Sequence, residues 1–179
     1  MAVSSASKDR ARALLIAGSP SDLDLVLKSQ EVLDDLELPC EIRVLSAHRT
    51  PDAVADLARS AEADGFEVII AFAGMAAHLA GVVAAHTLLP VIAVPIASGP
   101  LGGVDAALAS LQMPPGTPVA AVAIDGARNG ALMAARILAV GDPEIRGRLH
   151  QLLERERARY EPAKIEAEIA RRRRSRQGD

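Results

Sequence analysis

The side chains best suited to chemistry are a histidine and an arginine, His48 and Arg49, which follow an apolar run and precede Thr50 and Pro51. A guanidinium is a planar donor fork that matches phosphate, and histidine exchanges protons near neutral pH. The pair therefore suits acid/base chemistry on an anionic substrate. Taken alone, the motif also fits an exposed loop in which His48 is a passive polar residue, but a second loop favours the chemical interpretation.

That second loop, residues 18–22, reads G-S-P-S-D and also follows an apolar run. Ser19 and Ser21 offer hydroxyl donors for a phosphate, and Asp22 offers an acceptor for sugar hydroxyls, so the loop suits a ribose phosphate. A serine helix cap with a turn explains the motif equally well. The chain has neither a Walker lysine motif nor G-x-G-x-x-G, so loops for ATP or for dinucleotides are not supported.

Two more loops are rich in small residues. Residues 72–81 read F-A-G-M-A-A-H-L-A-G and would let a ligand approach backbone amides, whereas His78 itself fits a structural residue about one turn inside a helix. His78 and His86 are eight residues apart with no carboxylate between them, so no zinc pair is expected. Residues 98–105 form a glycine loop that either closes over a substrate or only connects two elements.

Two isolated residues also have structural interpretations. Asn129 stands at the predicted start of a helix, where it is either a polar contact for a ligand or an N-cap. Cys40 follows Pro39 and has no neighbour that would activate a thiol, so we interpret it as a small buried hydrophobe.

The elements that must position these loops alternate between strand and helix, five times over. Candidate strands at 13–17, 40–46, 67–73, 90–96 and 118–124 are almost continuously apolar, and each precedes a segment with helical spacing. Strands without polar alternation are covered on both faces, which is typical of a parallel sheet. We predict an α/β three-layer α/β/α sandwich with a five-stranded parallel sheet, flavodoxin- or Rossmann-like, and a helical C-terminal extension.

Local signals suggest the boundaries of the elements and of the domain. Ser21 with Asp24 is a candidate cap for the first helix, Thr50 with Pro51 for the second, and Gly65 a candidate stop. We expect residues 1–10 to be a disordered arm, 11–141 a nucleotide-binding catalytic domain and 142–179 a helical tail. The run Arg171 to Arg174 fits a solvated helix end or a disordered terminus better than a nucleic-acid site.

Composition narrows the class of protein. The chain has 179 residues, a net charge of -3, one cysteine and 2% aromatic residues. A lone cysteine excludes an internal disulfide and fits a reducing compartment. Few aromatic residues and a negative charge argue against nucleic acid as a partner. With neither a signal-like segment nor a membrane-length apolar run, we expect a cytoplasmic protein that does not contact membranes.

One predicted helix points to self-association. Residues 75–85 carry no formally charged side chain and are apolar on every side. Such a helix must be covered all round, which an outer helical layer of this size does not achieve, so part of its surface is expected to meet another subunit. The alternative is a core helix beneath the C-terminal tail.

At these loops the sequence resembles the PurE family, comprising N5-carboxyaminoimidazole ribonucleotide mutase and related aminoimidazole ribonucleotide carboxylases. The resemblance covers roughly residues 12–140, and its most specific element is S-A-H-R-T-P at 46–51. It is supported by G-S-x-S-D at 18–22, A-A-H-L at 76–79, G-V-D at 103–105, Q-M-P at 112–114, and the 118–124 strand that leads to Asn129.

The resemblance implies an enzyme of purine biosynthesis that moves a carboxyl group from N5 to C4 of aminoimidazole ribonucleotide, without metal or organic cofactor, as an octamer. It implies His48 as the general acid/base. Its implied substrate contacts are Ser19, Ser21, Asp22, Ser46 and Arg49 for the ribose phosphate, and Gly74, Met75, Ala76, His78 and Leu79 in the third loop. The alternative is a divergent homologue that decarboxylates, acts on another nucleotide, or binds one without turnover.

The alternative of a divergent homologue rests on residues that depart from the family pattern. Phe72, Met75 and Ala80 stand where the family has two glycines and a proline, and we expect them on the carboxylate side of the pocket. Asp125 and Arg128 occupy a loop where the family has glycine and alanine, so we expect new charges near the active face. Larger side chains at close-approach glycines cost about 1 to 3 kcal/mol through overpacking.

Overall fold

The computed structural model describes residues 10–177, which form a parallel sheet covered by helices. The expected arm therefore falls almost wholly outside the described residues. The strands are β1 Ala13–Ala17, β2 Cys40–Val44, β3 Val68–Gly74, β4 Val91–Ile96 and β5 Ala120–Ala121. A 3-10 turn, Pro20–Asp22, precedes the helices α1 Leu23–Asp35, α2 Pro51–Ser60, α3 Leu79–Ala84, α4 Val104–Leu111, α5 Ala127–Leu138, α6 Pro143–Ala158 and α7 Pro162–Gln177.

The strand order is β2-β1-β3-β4-β5 with every pairing parallel, which is the flavodoxin-like order. The predicted three-layer sandwich is confirmed. Its two edges differ from the prediction. Strand β2 is only partly buried, and β5 pairs with β4 over two residues instead of the seven expected.

Both faces of the central strands are buried by helices. Leu15, Ile70 and Val94 pack with α1, α5 and α6 on one face, and Ile16 and Ile69 pack with α2 and α3 on the other. Successive side chains of a strand point to opposite faces, so an apolar run with no polar alternation is what this double cover requires. The sheet therefore holds its carboxyl-end loops on a rigid base.

The helix starts differ in detail from the predicted caps. Ser19, not Ser21, caps the first turn by accepting a hydrogen bond from the Ser21 amide, and α1 begins after it. Thr50 is the N-cap residue of α2 and Pro51 its first residue, but the Thr50 hydroxyl bonds to Ser46 instead of to a helical amide. The second helix ends at Ser60, and Gly65 closes the turn that follows.

The predicted apolar helix over residues 75–85 is shorter than expected. Helix α3 spans Leu79–Ala84, and residues 75–78 form a bend before it. Leu79, Ala80 and Val83 are buried against the protein's own sheet. The body of the molecule therefore covers two of the three large side chains of α3, Leu79 and Val83, and partly covers Val82.

The C-terminal extension consists of two helices with different packing. Ile145, Leu149 and Leu152 of α6 belong to the core against α5. In α7 the side chains of residues 162–175 are exposed except for that of the half-buried Glu168. Among residues 10–177, no helix is long and apolar enough to cross a membrane.

Candidate active site

Four loops at the carboxyl edge of the sheet meet around one cavity of about 420 Å³. They follow β2, β1, β3 and β4. The chain leaves β1 toward α1 on one face and β3 toward α3 on the other, so a crevice opens between these neighbouring strands, as expected at a topological switch point. The cavity brings together the predicted site residues Ser19, Ser21, Asp22, Ser46, His48, Arg49, Gly74, Met75, Ala76, His78 and Leu79.

The loop after β1 presents its polar groups as a connected set. The Ser21 hydroxyl lies 2.9 Å from Ser19 Oγ and 3.2 Å from Asp22 Oδ1. Burial raises the pKa of the Asp22 carboxyl, and hydrogen bonds from the Ser21 hydroxyl and the Ser19 backbone partly offset that rise. The carboxyl is thus poised as a partly dehydrated acceptor beside two hydroxyls.

The loop after β2 is closed by Ser46 and Thr50. The Ser46 amide donates to Thr50 Oγ1 at 3.0 Å, the Thr50 hydroxyl donates back to the Ser46 carbonyl at 3.0 Å, and the Arg49 amide donates to Ser46 Oγ at 3.3 Å. This closed turn holds His48 and Arg49 at the cavity. Within the described part of the chain the Arg49 guanidinium forms no ion pair, which leaves it available for an anion.

The two histidines of the cavity bind each other. Nε2 of His48 lies 2.7 Å from Nδ1 of His78, and the rings meet edge to face with centroids 4.9 Å apart. A contact of this length requires one nitrogen to carry the proton and the other to accept it. His78 is therefore not one turn inside a helix as predicted: it is the N-cap residue of α3, and its ring reaches the pair.

Of the three departures in the third loop, only Met75 reaches the cavity. Phe72 is fully buried in the core face of β3, and Ala80 is buried in α3, so the expectation that they line the carboxylate side is wrong. Met75 is 55% exposed and has a φ of 51°, in the left-handed region that favours glycine. The left-handed backbone at this position therefore explains why the family pattern has a glycine there.

A residue that was not predicted individually, Ser98, completes the cavity wall after β4. It lies so close to Gly74 that a β-carbon there would overlap Ser98 Oγ. The sequence signal was the glycine loop over 98–105, which did not distinguish Ser98 from its neighbours.

The remaining candidates do not line the cavity. Asn129 is the third residue of α5, not its N-cap, and with Asp125 and Arg128 it borders a separate depression. Asp125 and Arg128 therefore do not line the active cavity, but Asp125 lies near it, because its Oδ1 accepts a hydrogen bond from the Ala97 amide beside the cavity residue Ser98. Burial, with a contribution from Asp34, raises the pKa of the half-buried Cys40 thiol to about 11, which agrees with an unreactive residue. Residues 10–177 contain no cluster of three or more side chains able to hold a metal ion.

The fold and the site define a flavodoxin-like α/β enzyme with a histidine pair at its switch point. The chain belongs to the AIR carboxylase family, whose model matches residues 12–159. This confirms the predicted PurE resemblance.

Curated relatives and solved structures agree with the family. The N5-carboxyaminoimidazole ribonucleotide mutase of Pyrococcus abyssi is 53% identical over 140 residues, which are 78% of this chain and 80% of that one. The enzyme of the same name from Escherichia coli is 47% identical over 148 residues, 82% of this chain and 88% of that one. The crystal structure of PurE from Treponema denticola is 31% identical with a TM-score of 0.77, covering 84% of this chain and 94% of that one.

Proposed function

We propose that this chain is an N5-carboxyaminoimidazole ribonucleotide mutase of purine biosynthesis. The observation that carries the proposal is the hydrogen-bonded pair of His48 and His78, set in a cavity between a serine-rich loop and Arg49, which forms no ion pair within residues 10–177. Relatives of that name are about half identical to this chain over most of its length.

In this proposal the loops after β1 and β2 bind the ribose phosphate. Ser19, Ser21, Ser46 and Arg49 are hydrogen-bond donors to the phosphate, and Asp22 accepts from the ribose hydroxyls. Hydrogen bonds to a charged group contribute about 1.5 to 3 kcal/mol each, so several of them would hold the nucleotide while its carboxyl group is detached. The base then lies toward the third loop, formed by Gly74, Met75, Ala76, His78 and Leu79.

The chemistry needs one proton carrier that gives and then recovers a proton. His48 donates its proton to N5 as the carbamate C–N bond breaks and carbon dioxide leaves. Ring carbon C4 then attacks the trapped carbon dioxide, and the hydrogen on C4 passes to the histidine as a proton. The protein ends with the protons it began with. Through its hydrogen bond to His48, His78 orients the His48 ring and balances the change in charge on that ring during both proton transfers.

Met75 favours a second candidate function. Its side chain lines the cavity where the family pattern has only a hydrogen atom, and a methionine takes up volume that a glycine leaves open. A divergent homologue that decarboxylates, uses another nucleotide, or binds without turnover is the alternative that this observation supports.

The deciding experiment is an assay of the native chain with N5-carboxyaminoimidazole ribonucleotide and, separately, with its carbon-carboxylated isomer. Interconversion of the two at a rate that depends on His48 is the expected result. Release of carbon dioxide without the isomer would favour the decarboxylase, and tight binding without either product would favour the binding protein.

We propose self-association through α4, with an octamer as the family-based expectation. Val104, Leu108 and Leu111 recur at helical spacing and are each at least half exposed. An exposed apolar stripe of this kind is typical of a subunit contact. We further propose that the enzyme is cytoplasmic, that residues 11–141 are its catalytic unit, and that 142–179 are a C-terminal extension whose first helix, α6, packs against that unit.

A further inference from the structure

The loop after β4 brings a hydroxyl group, that of Ser98, to the wall of the cavity. Within the described part of the chain the Ser98 side chain makes no hydrogen bond, although its amide donates to the Ile96 carbonyl at 2.9 Å. The residue is half-buried and lines the cavity. A free hydroxyl that is partly shielded from water in a polar cavity is available to a ligand.

The order of the strands indicates which part of a bound nucleotide would lie near the Ser98 hydroxyl. The loops that carry Arg49, Asp22, Met75 and Ser98 follow β2, β1, β3 and β4, which are consecutive neighbours in the sheet. Neighbouring strands are about 4.8 Å apart, so Ser98 lies roughly 14 Å across the edge from the Arg49 loop. A nucleotide whose phosphate is held by Arg49 and the serines extends its base toward Ser98.

The chain leaves β4 under a restraint supplied by a distant residue, Asp125. Its carboxylate Oδ1 accepts a hydrogen bond of 2.9 Å from the Ala97 amide, and its own amide donates to the Pro95 carbonyl at 2.8 Å. Asp125 thereby binds the residues on both sides of the end of β4. The restraint acts one residue before Ser98.

The backbone of Asp125 is itself unusual. Its φ is 55°, in the left-handed region that glycine adopts most readily and that aspartate and asparagine tolerate better than other residues. A less favourable backbone conformation is kept at this position, where the side chain orders the cavity loop. The opposite side of the same loop contacts Met75, because a β-carbon at Gly99 would lie 3.1 Å from Met75 Cγ.

We propose that the Ser98 hydroxyl binds the carboxyl group of the carboxylated nucleotide and that Asp125 is the positioning residue that holds Ser98 in place. The inference rests on the proposed function for the class of ligand. It goes beyond that function by assigning a contact and a restraint outside the loops that hold the phosphate and the histidines.

Binding measurements test the inference without requiring turnover. Calorimetry would compare the carbon-carboxylated aminoimidazole ribonucleotide with aminoimidazole ribonucleotide, which lacks the carboxyl group. We expect Ser98→Ala to weaken binding of the carboxylated nucleotide about tenfold and to leave the other within about twofold, since a hydrogen bond to a charged group is lost. Ser60→Ala, on the exposed end of α2, is the matched control.

The role of Asp125 is tested by rescue and by non-additivity. Asp125→Gly suits the positive φ but removes the hydrogen-bond acceptor. We expect this variant to bind the carboxylated nucleotide about threefold to tenfold more weakly and the other nucleotide with unchanged affinity. Asp125→Asn keeps an acceptor oxygen and should retain native selectivity. Because both residues act through one contact, the double variant Ser98→Ala, Asp125→Gly should bind no more weakly than Ser98→Ala.

Each contrary outcome has a distinct meaning. If Ser98→Ala affects the binding of both nucleotides equally, or of neither, the proposed Ser98 contact is wrong. The proposed function still stands in that case if the native chain interconverts the two isomers. Full additivity in the double variant would overturn the positioning role of Asp125. If the native chain binds neither nucleotide, both the inference and the proposed function are wrong.

Discussion

Nε2 of His48 and Nδ1 of His78 share one hydrogen-bond contact of 2.7 Å, although the residues come from loops after different strands, β2 and β3. These strands are separated by β1 in the sheet. Because two protonated nitrogens cannot face each other at this distance, the position of one proton is coupled between the two rings. Proton transfer at one ring therefore changes whether the other ring donates or accepts the shared hydrogen bond.

Replacement of His48 tests its role as proton carrier. We expect His48→Asn to lower turnover at least a hundredfold, since general acid/base catalysis contributes about 10² to 10⁴ in rate, and to leave folding intact because the side chain is exposed. Turnover, nucleotide affinity and thermal unfolding would be measured together. His150→Asn, an exposed histidine on α6, is the control. Unchanged turnover would remove His48 from the mechanism.

His78 should have a smaller effect than His48. His78→Ala removes one hydrogen bond to the catalytic ring, worth about 1 kcal/mol, so we expect kcat to fall about fivefold to tenfold while nucleotide affinity changes little. His78→Ala should therefore separate kcat from nucleotide affinity. A loss of affinity with kcat unchanged would make His78 a ligand contact only.

Met75 and Phe72 should behave in opposite ways when replaced. In Met75→Gly the left-handed backbone no longer carries the cost of about 1 to 2 kcal/mol that a side chain imposes there. Glycine also adds about 0.5 to 1 kcal/mol of chain entropy to the unfolded state, so stability should be maintained or slightly raised. Opening the cavity should raise mutase turnover by up to about tenfold. Lower turnover in a stable Met75→Gly protein would show that the thioether contributes to the site.

Phe72→Ala, by contrast, leaves a hole in the core. Phe72 is 0% exposed and packs in the face of the sheet that meets α1 and α5. We expect a loss of about 3 to 5 kcal/mol in the free energy of unfolding, measured by denaturant titration, with no gain in activity. A stable variant with a more active site would mean that Phe72 faces the cavity after all.

Asp22 should make stability depend on pH in a defined direction. Burial raises its folded-state pKa above the ordinary value of 3.8, so the folded protein binds the proton more tightly than the unfolded chain. Its ionised form therefore weakens stability above the folded pKa, and this penalty disappears as the pH falls below 3.8.

We accordingly expect Asp22→Asn to raise the unfolding temperature at pH 7 more than at pH 3, and at the same time to weaken nucleotide binding. Thermal unfolding across pH and calorimetry are the measurements, with Asp64→Asn in an exposed turn as control. An equal temperature change at both pH values would contradict the direction of the shift.

The α4 stripe should hold subunits together. Leu108→Glu introduces a charge on a residue that is 51% exposed, so it should leave the fold unchanged and reduce the assembly measured by light scattering. Leu27→Glu on α1, 46% exposed, is the control. A native protein that stays near the 18.7 kDa monomer mass would refute self-association, and an unaffected oligomer in the variant would place the contact elsewhere.

Sequence patterns alone predicted the alternation of strand and helix, the parallel sheet and the loops that form the site. These features depend on local signals: apolar runs without alternation, and glycine, proline and serine at their ends. Once the strands are parallel, their carboxyl ends must share an edge, so the convergence of the Ser19, His48 and Gly74 loops followed without knowledge of side-chain contacts.

Sequence patterns did not show which side chains face the cavity or which pairs of side chains meet, and the folded structure was needed for both. A strand buried on both faces has no polar alternation, so the sequence could not tell that Phe72 points into the core while Met75, three residues on, turns toward the cavity. The contact of His48 with His78 depends on the spacing and bend of two loops that are distant in sequence. The hydrogen bond from Ala97 to Asp125 spans 28 residues and leaves no periodic trace, because long-range polar pairing is fixed by packing.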